Sequence, residues 1–178
     1  TPAAMAREKD RLAEIALLSG GASRGVQMLL ARWGQPFRIV DPGASPAGLT
    51  KTQPVLVVPT GALDRKTAGQ LAAYARAGGT IISLAQRNGA ALAALPGKPR
   101  GFGWEETESA FEEAVEVAAA HPSTVSCRKS SFSAAVDGFF RDLPKGAEIL
   151  LRARGSGRPV AAVYPYGRGL VEIGRAHV

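Results

Sequence analysis

A serine framed by glycines, Gly21-Ala22-Ser23-Arg24-Gly25, is the part of this sequence most like a hydrolytic nucleophile. In hydrolases a Gly-x-Ser-x-Gly run occupies a strained strand-to-helix turn, and here an apolar run precedes it and a helical pattern follows. Its position argues against that chemistry. The run follows the first strand, before a second strand is available to supply an oxyanion donor, and Ser23 is accounted for as a helix cap. The two histidines offer no partner: His121 precedes Pro122 in a loop, and His177 is the penultimate residue. Cys127 is the single cysteine, which excludes an intramolecular disulfide framework and any multi-cysteine metal site. Arg128 and Lys129 would favour its thiolate, but a loop cysteine with no imidazole in the pattern reads as inert. Glu105, Glu106, Glu108, Glu112, Glu113 and Glu116 lie in a stretch without a basic residue. No histidine or aspartate is interleaved at ligand spacing, so the stretch reads as a solvated acidic face and no metal is expected. No Walker sequence is present and no cofactor is expected; Ser19-Gly20-Gly21, ahead of a helix N-terminus, is the nearest thing to a phosphate loop.

The elements that would position these groups follow from the apolar periodicity. Residues 12–18 form an apolar run ended by Ser19-Gly20-Gly21, a buried strand and a tight turn. Val26, Leu29, Leu30 and Trp33 recur at helical spacing, with Ser23 placed to cap and Gly34 to stop. Residues 37–40 give a brief strand closed by Asp41-Pro42-Gly43. After a loop rich in Pro, Gly and Ser, residues 55–58 give the clearest strand of all, one for the centre of a sheet. Asp64 opens a second helix with Leu71, Tyr74 and Ala75 facing inward, Gly78-Gly79 ends it, and residues 80–84 form the next strand. Strands alternating with helices imply right-handed crossovers and a parallel sheet covered on both faces.

The second half has another character. Residues 105–119 fit a helix through Phe111, Val115 and Ala118, or a strand through Val115, Val117 and Ala119, and periodicity does not choose between them. Residues 137–143 read as a short helix. Residues 147–154, 159–164 and 169–173 read as strands, separated by Gly155-Ser156-Gly157 and by the Tyr166-Gly167-Arg168-Gly169 turn. The expected fold class is therefore α/β: a doubly wound, mostly parallel, flavodoxin-like sheet with a C-terminal antiparallel meander, all 178 residues forming a single domain.

Composition sets wider bounds. Apolar residues make up 46% and charged residues 21%, which excludes disordered and fibrous classes. No apolar stretch is long enough to insert in a membrane, and the N-terminal residues carry no basic-then-apolar signal pattern. The net charge of +7 is concentrated in residues 1–89, with 11 basic against 5 acidic side chains, whereas residues 90–178 hold 11 against 10. Basic residues stand singly among apolar ones without interleaved aromatics, so nucleic acid is not an expected partner.

Several stretches together carry a likeness. They are Val-Leu-Val-Val-Pro-Thr-Gly-Ala-Leu at 55–63, Ala-Gly-Gly-Thr-Ile-Ile-Ser-Leu-Ala-Gln at 77–86, Gly-Phe-Gly-Trp at 101–104 and His121-Pro122. With them stand Val-Asp-Gly-Phe at 136–139, Leu-Pro-Lys-Gly-Ala at 143–147, Ser-Gly-Arg-Pro-Val at 156–160 and Tyr-Gly-Arg-Gly at 166–169. The chain thus resembles, over most of its length, a bacterial branch of the class I glutamine amidotransferase-like superfamily. The resemblance implies a module of a larger envelope or secreted protein; the residues themselves leave the compartment open. Catalytic members of that family carry a cysteine in a Gly-x-Cys-x-Gly elbow after the strand that follows the second helix. Laid on Ser83-Leu84-Ala85-Gln86-Arg87, the pattern puts Ala85 at the nucleophile and replaces both glycines. The family's His-Pro-Glu run has only His121-Pro122-Ser123 as its counterpart, without the carboxylate and ahead of the C-terminal hairpins. The resemblance therefore implies a non-catalytic module that binds a ligand or a protein partner, a neighbouring domain or subunit, within a larger bacterial protein or assembly. The alternative is a hydrolase or transferase using residues not identified by pattern. A small molecule, if bound, would enter the crevice at the carboxyl ends of the strands, where the order reverses between strand one and the 55–58 strand. Ser19, Gly20, Thr60, Gly61, Gln86 and Arg87 would line it; as polar turn residues they also have a purely structural role.

Overall fold

The computed structural model describes residues 14–41, 46–61, 63, 65–86, 89–103, 111–125, 127 and 130–177. Its first strands are β1 (Ile15–Leu18), β2 (Phe37–Val40), β3 (Val55–Val58) and β4 (Thr80–Ser83). Helix α1 (Ser23–Arg32) joins β1 to β2, and α2 (Arg65–Arg76) joins β3 to β4. The strand and helix sequence expected for this half is present, although residues 12 and 13 and Asp64 lie outside the described residues. After β4 come the short α3 (Gly89–Ala94), β5 (Arg100–Gly103), β6 (Phe111–Val117) and β7 (Ser131–Val136). The chain continues through β8 (Gly138–Asp142), β9 (Glu148–Ala153), β10 (Pro159–Tyr166), β11 (Gly169–Gly174) and β12 (Ala176–His177).

Ten strands form one sheet in the order β12-β7-β6-β9-β10-β11-β4-β3-β1-β2, and β5 pairs with β8 in a second, two-stranded sheet. Strands β11, β4, β3, β1 and β2 are mutually parallel, while the pairings from β11 outward through β10, β9, β6, β7 and β12 are antiparallel. The fold is mixed α/β, a parallel central portion extended by antiparallel strands. The C-terminal meander joins the parallel half through β11, which lies beside β4 with Val171 opposite Ile81. No helix among the described residues is long and apolar enough to cross a membrane.

The main core lies on one face of the parallel portion. Ala16, Leu56, Ile81 and Val171 come into line through the strand register, and Leu71, Tyr74 and Ala75 of α2 close over them with no exposed surface. Leu56, Leu71, Ile81 and Val171, withdrawn from water, contribute about 1.5–3 kcal/mol each. The buried phenols are satisfied: the Tyr74 hydroxyl donates to the Gln53 carbonyl at 2.7 Å, and that of Tyr164 donates to the Pro96 carbonyl. Burial lifts the pKa of both phenols well above the ordinary value, with the neighbouring Tyr166 adding to the effect at Tyr164.

Two sequence expectations are corrected and one open alternative is resolved. Residues 137–143 are not a helix: Gly138–Asp142 is strand β8, because Phe139 and Phe140 point to opposite sides and fill two different core clusters. Within 105–119, residues 111–117 are strand, with Val115 buried between β7 and β9; residues 105–110 lie outside the described set. Ser23 does not cap α1. The cap position is Ala22, no side chain caps the helix, and Ser23 is already its first residue. Gly34 stops the helix as expected, at φ 66°.

Two glycines of the Tyr166-Gly-Arg-Gly169 turn have a packing reason. A Cβ on Gly169 would stand 2.5 Å from the Ala75 carbonyl and closer still to that of Gly79, and one on Gly167 would meet the Arg76 Cα at 2.6 Å. Arg168 donates to the carbonyls of Arg76 and Ala77, so the hairpin caps the C-terminus of α2. Arg76 in turn donates to the Tyr166 hydroxyl at 2.9 Å, its guanidinium 5.3 Å from the ring centroid.

Candidate functional site

Because β1, β3 and β4 run parallel, their carboxyl ends lie on one side of the sheet, and the turns that follow meet there. Ala22 N–H donates to the Thr60 carbonyl at 3.0 Å, joining the β1 turn to the β3 turn. Gly61 packs against the Gly21 backbone, and Gly20, Gly21 and Gly61 all have positive φ, a conformation glycine adopts without strain. Ser19, Gly20, Thr60, Gly61 and Gln86 are therefore brought together by the β1, β3 and β4 ends. Arg87 lies outside the described residues.

Gln86 is the hub. It is 1% exposed, and its amide nitrogen donates to the Leu84 carbonyl at 2.9 Å, with the Pro59 carbonyl and Ser83 Oγ both at 3.3 Å. Its amide oxygen accepts from Gly61 N–H at 3.4 Å. The side chain thus closes the turn after β4 onto the turn after β3, and its polar groups are directed to the protein's own backbone. Ala85, beside it, is 3% exposed. Among the described residues Lys98 is the single non-glycine with positive φ, so the turn holding Ala85 lacks the left-handed strain of a nucleophile elbow. The following helix, α3, has six residues.

Ser19 makes a contact that pattern reading missed. Its hydroxyl donates to Asp41 Oδ1 at 3.0 Å. The signal was available in the strand order: β1 and β2 pair in parallel with Leu18 opposite Val40, which sets Ser19 opposite Asp41. A serine held by a carboxylate alone lacks the base that ordinarily accepts its proton, a group titrating near the operating pH. His121 is engaged elsewhere, in the loop after β6, where its Nδ1 accepts from Ser123 N–H at 3.2 Å. Ser123 Oγ donates to Glu172 of β11 at 2.6 Å, anchoring that loop to the sheet. Ser23 of the Gly-x-Ser-x-Gly run is helical, and Cys127 lies half-buried just beyond the same loop, its N–H donating to the Thr124 carbonyl. Among the described residues no group of three His, Cys, Asp or Glu side chains is arranged to hold a metal ion.

A separate groove of about 780 Å³ runs between α2 and α3. Ala68 and Ala72 line one wall, Ala90 and Ala94 the other, with Lys98 and Tyr166 at its margin. Its walls are largely alanine side chains, and the polar side chains that line it are those of Lys98 and Tyr166.

No family model matches the chain, and no curated protein matches its sequence. Solved structures do resemble it. A protein from Thermoplasma acidophilum described as a component of GMP synthase superposes with a TM-score of 0.66 at 11% identity, over 92% of this chain and 82% of that one. An exo-β-1,4-mannosidase from Opitutaceae bacterium strain TAV5 gives 0.63 at 16% identity, over 98% of this chain and 33% of the enzyme. A β-galactosidase from Bacillus circulans sp. alkalophilus gives 0.63 at 12% identity, over 93% of this chain and 29% of the enzyme. The chain spans most of the first protein and about a third of each glycosidase. At these identities the likeness is one of fold.

Proposed function

We propose that this chain is a non-catalytic amidotransferase-like module that binds a neighbouring domain or subunit within a larger bacterial protein. One observation carries the reading: where the resemblance implies a cysteine elbow, the turn after β4 holds a buried alanine in unstrained backbone, locked by the Gln86 amide. A methyl group cannot attack a carbonyl, and the Gly61 N–H in this crevice is taken up by the Gln86 amide oxygen. The order β2-β1-β3-β4-β11 of the parallel strands, which reverses between β1 and β3, supports the doubly wound, flavodoxin-like reading and a single domain. That comparable folds make up about a third of two glycosidases supports a role as one part of a longer polypeptide. The resemblance points to an envelope or secreted setting. The test is ammonia release from glutamine by the purified chain, with and without prior alkylation of Cys127. The module reading expects no release in either case, and turnover would refute it.

One contact favours a second reading, in which the chain is a hydrolase or transferase and the crevice supplies its chemistry: Ser19 and Asp41 at 3.0 Å. Activated-ester hydrolysis that disappears in Ser19→Ala while the fold persists would establish that reading; equal background rates in the two proteins would dismiss it.

A further inference from the structure

Seven large apolar side chains are markedly exposed among the described residues, and four of them fall in the single α1–β2 unit: Met28 at 68%, Leu29 at 43%, Trp33 at 62% and Ile39 at 48%. Leu29 and Trp33 are one helical turn apart, and the chain passes from Trp33 into β2 within four residues. Exposed tryptophan and methionine concentrated on one unit are characteristic of contact surfaces, whereas scattered apolar residues are not. The unit also carries a one-sided charge. Residues 23–40 contain Arg24, Arg32 and Arg38 and no acidic residue. Finally, among the described residues β2 is the last strand of the sheet, so its outer edge offers backbone N–H and C=O groups to an added strand.

We infer that the outer edge of β2, with α1 beside it, is a docking site for an extended segment of a partner protein in which apolar and acidic residues alternate. The alternation follows from the register. Phe37 and Ile39 stand in line with Ile15 and Leu17 on one face of the sheet, Arg38 with Ala16 on the other. A strand laid against β2 sets an apolar residue beside Ile39 and a carboxylate beside Arg38, the cross-strand pairs that stabilise a sheet, while the backbone groups supply the remaining affinity. A second copy of this chain is the poorer occupant, because β2 paired with itself offers no carboxylate to Arg38, the strand's only charged residue. The inference rests on the module reading above and names the surface through which the module would act.

The test is a titration of the isotope-labelled chain with an acetylated (Glu-Val)4 peptide, followed by backbone amide and tryptophan NMR signals. The inference expects saturable shifts confined to β2, the C-terminal turn of α1 and the Trp33 indole, with slowed hydrogen exchange at β2. Arg38→Glu, which changes an exposed side chain, should weaken binding by about tenfold, as expected when one partner of a charge pair is reversed. A (Lys-Val)4 peptide should leave the spectrum unchanged. Absence of shifts, equal binding of the lysine peptide, preferential binding of a single-stranded oligonucleotide at this face, or self-association through β2 would each overturn the inference. Shifts at Ser19 and Gly61 instead would relocate the contact, overturning this face while leaving the module reading intact; ammonia release would do the reverse.

Discussion

Replacing Gly169 with alanine tests whether the Tyr166-Gly-Arg-Gly169 turn is an architectural joint. The added Cβ would lie 2.5 Å from the Ala75 carbonyl and nearer to that of Gly79, while ordinary contact begins at 3.4 Å. Both obstacles are backbone, one at the end of α2 and one just before β4, so no side chain can swing aside. The hairpin must part from the helix by about 1 Å, which places the change at the upper end of overpacking costs, about 3 kcal/mol. For a chain of this size that corresponds to a Tm lower by about 6–12 °C. Thermal and urea denaturation followed by circular dichroism measure it. Gly155→Ala is the control, since nothing lies within 4 Å of its Cβ position and its φ is not positive; its stability should stay within about 0.5 kcal/mol of the parent. If Gly169→Ala is equally neutral, or the control equally damaging, the turn does not dock as described.

Three further outcomes follow. Gln86→Leu removes the amide that holds the β3 and β4 turns and strands buried backbone groups, so urea denaturation should show a loss of about 2–4 kcal/mol. Arg175→Met takes the guanidinium from Asp137, a pair 3.1 Å apart and almost wholly buried; the cost should be about 3–5 kcal/mol, partly recovered by adding Asp137→Asn. The phenols of Tyr74 and Tyr164 have a pKa raised by folding, so their contribution is complete below the unfolded value near pH 10 and is lost as pH rises beyond it. Urea midpoints should therefore fall above pH 10, less steeply in Tyr74→Phe, and a slope unchanged by that substitution would contradict the assignment.

Much of the parallel half was legible because its signals are local. The run at 55–58, the inward trio Leu71, Tyr74 and Ala75, and the stops at Gly34 and Gly78-Gly79 each follow from neighbours in sequence, and the three C-terminal strands are bounded by glycine turns. What escaped depends on partners far along the chain. Phe139 and Phe140 look like a helix fragment until β5 is known to lie beside them. Residues 111–117 are strand because β7 and β9 flank them. The cap expected of Ser23 failed because the turn ahead of α1 is fixed from outside, by the Thr60 carbonyl holding Ala22 N–H. At the candidate site, Gln86 stands among the residues that the sequence offers for the crevice, but its place as a buried clip is not legible there, since it depends on Gly61 and Pro59, some 25 residues away. The Ser19–Asp41 contact was missed for the same reason, needing the β1–β2 register rather than either segment alone.

The account turns on the alanine after β4 and the clip that locks it. Incubating the purified chain with glutamine and measuring ammonia enzymatically is the most direct test. The account predicts the rate of the buffer blank, unaltered when Cys127 is alkylated; glutamine-dependent release in proportion to protein concentration would contradict it.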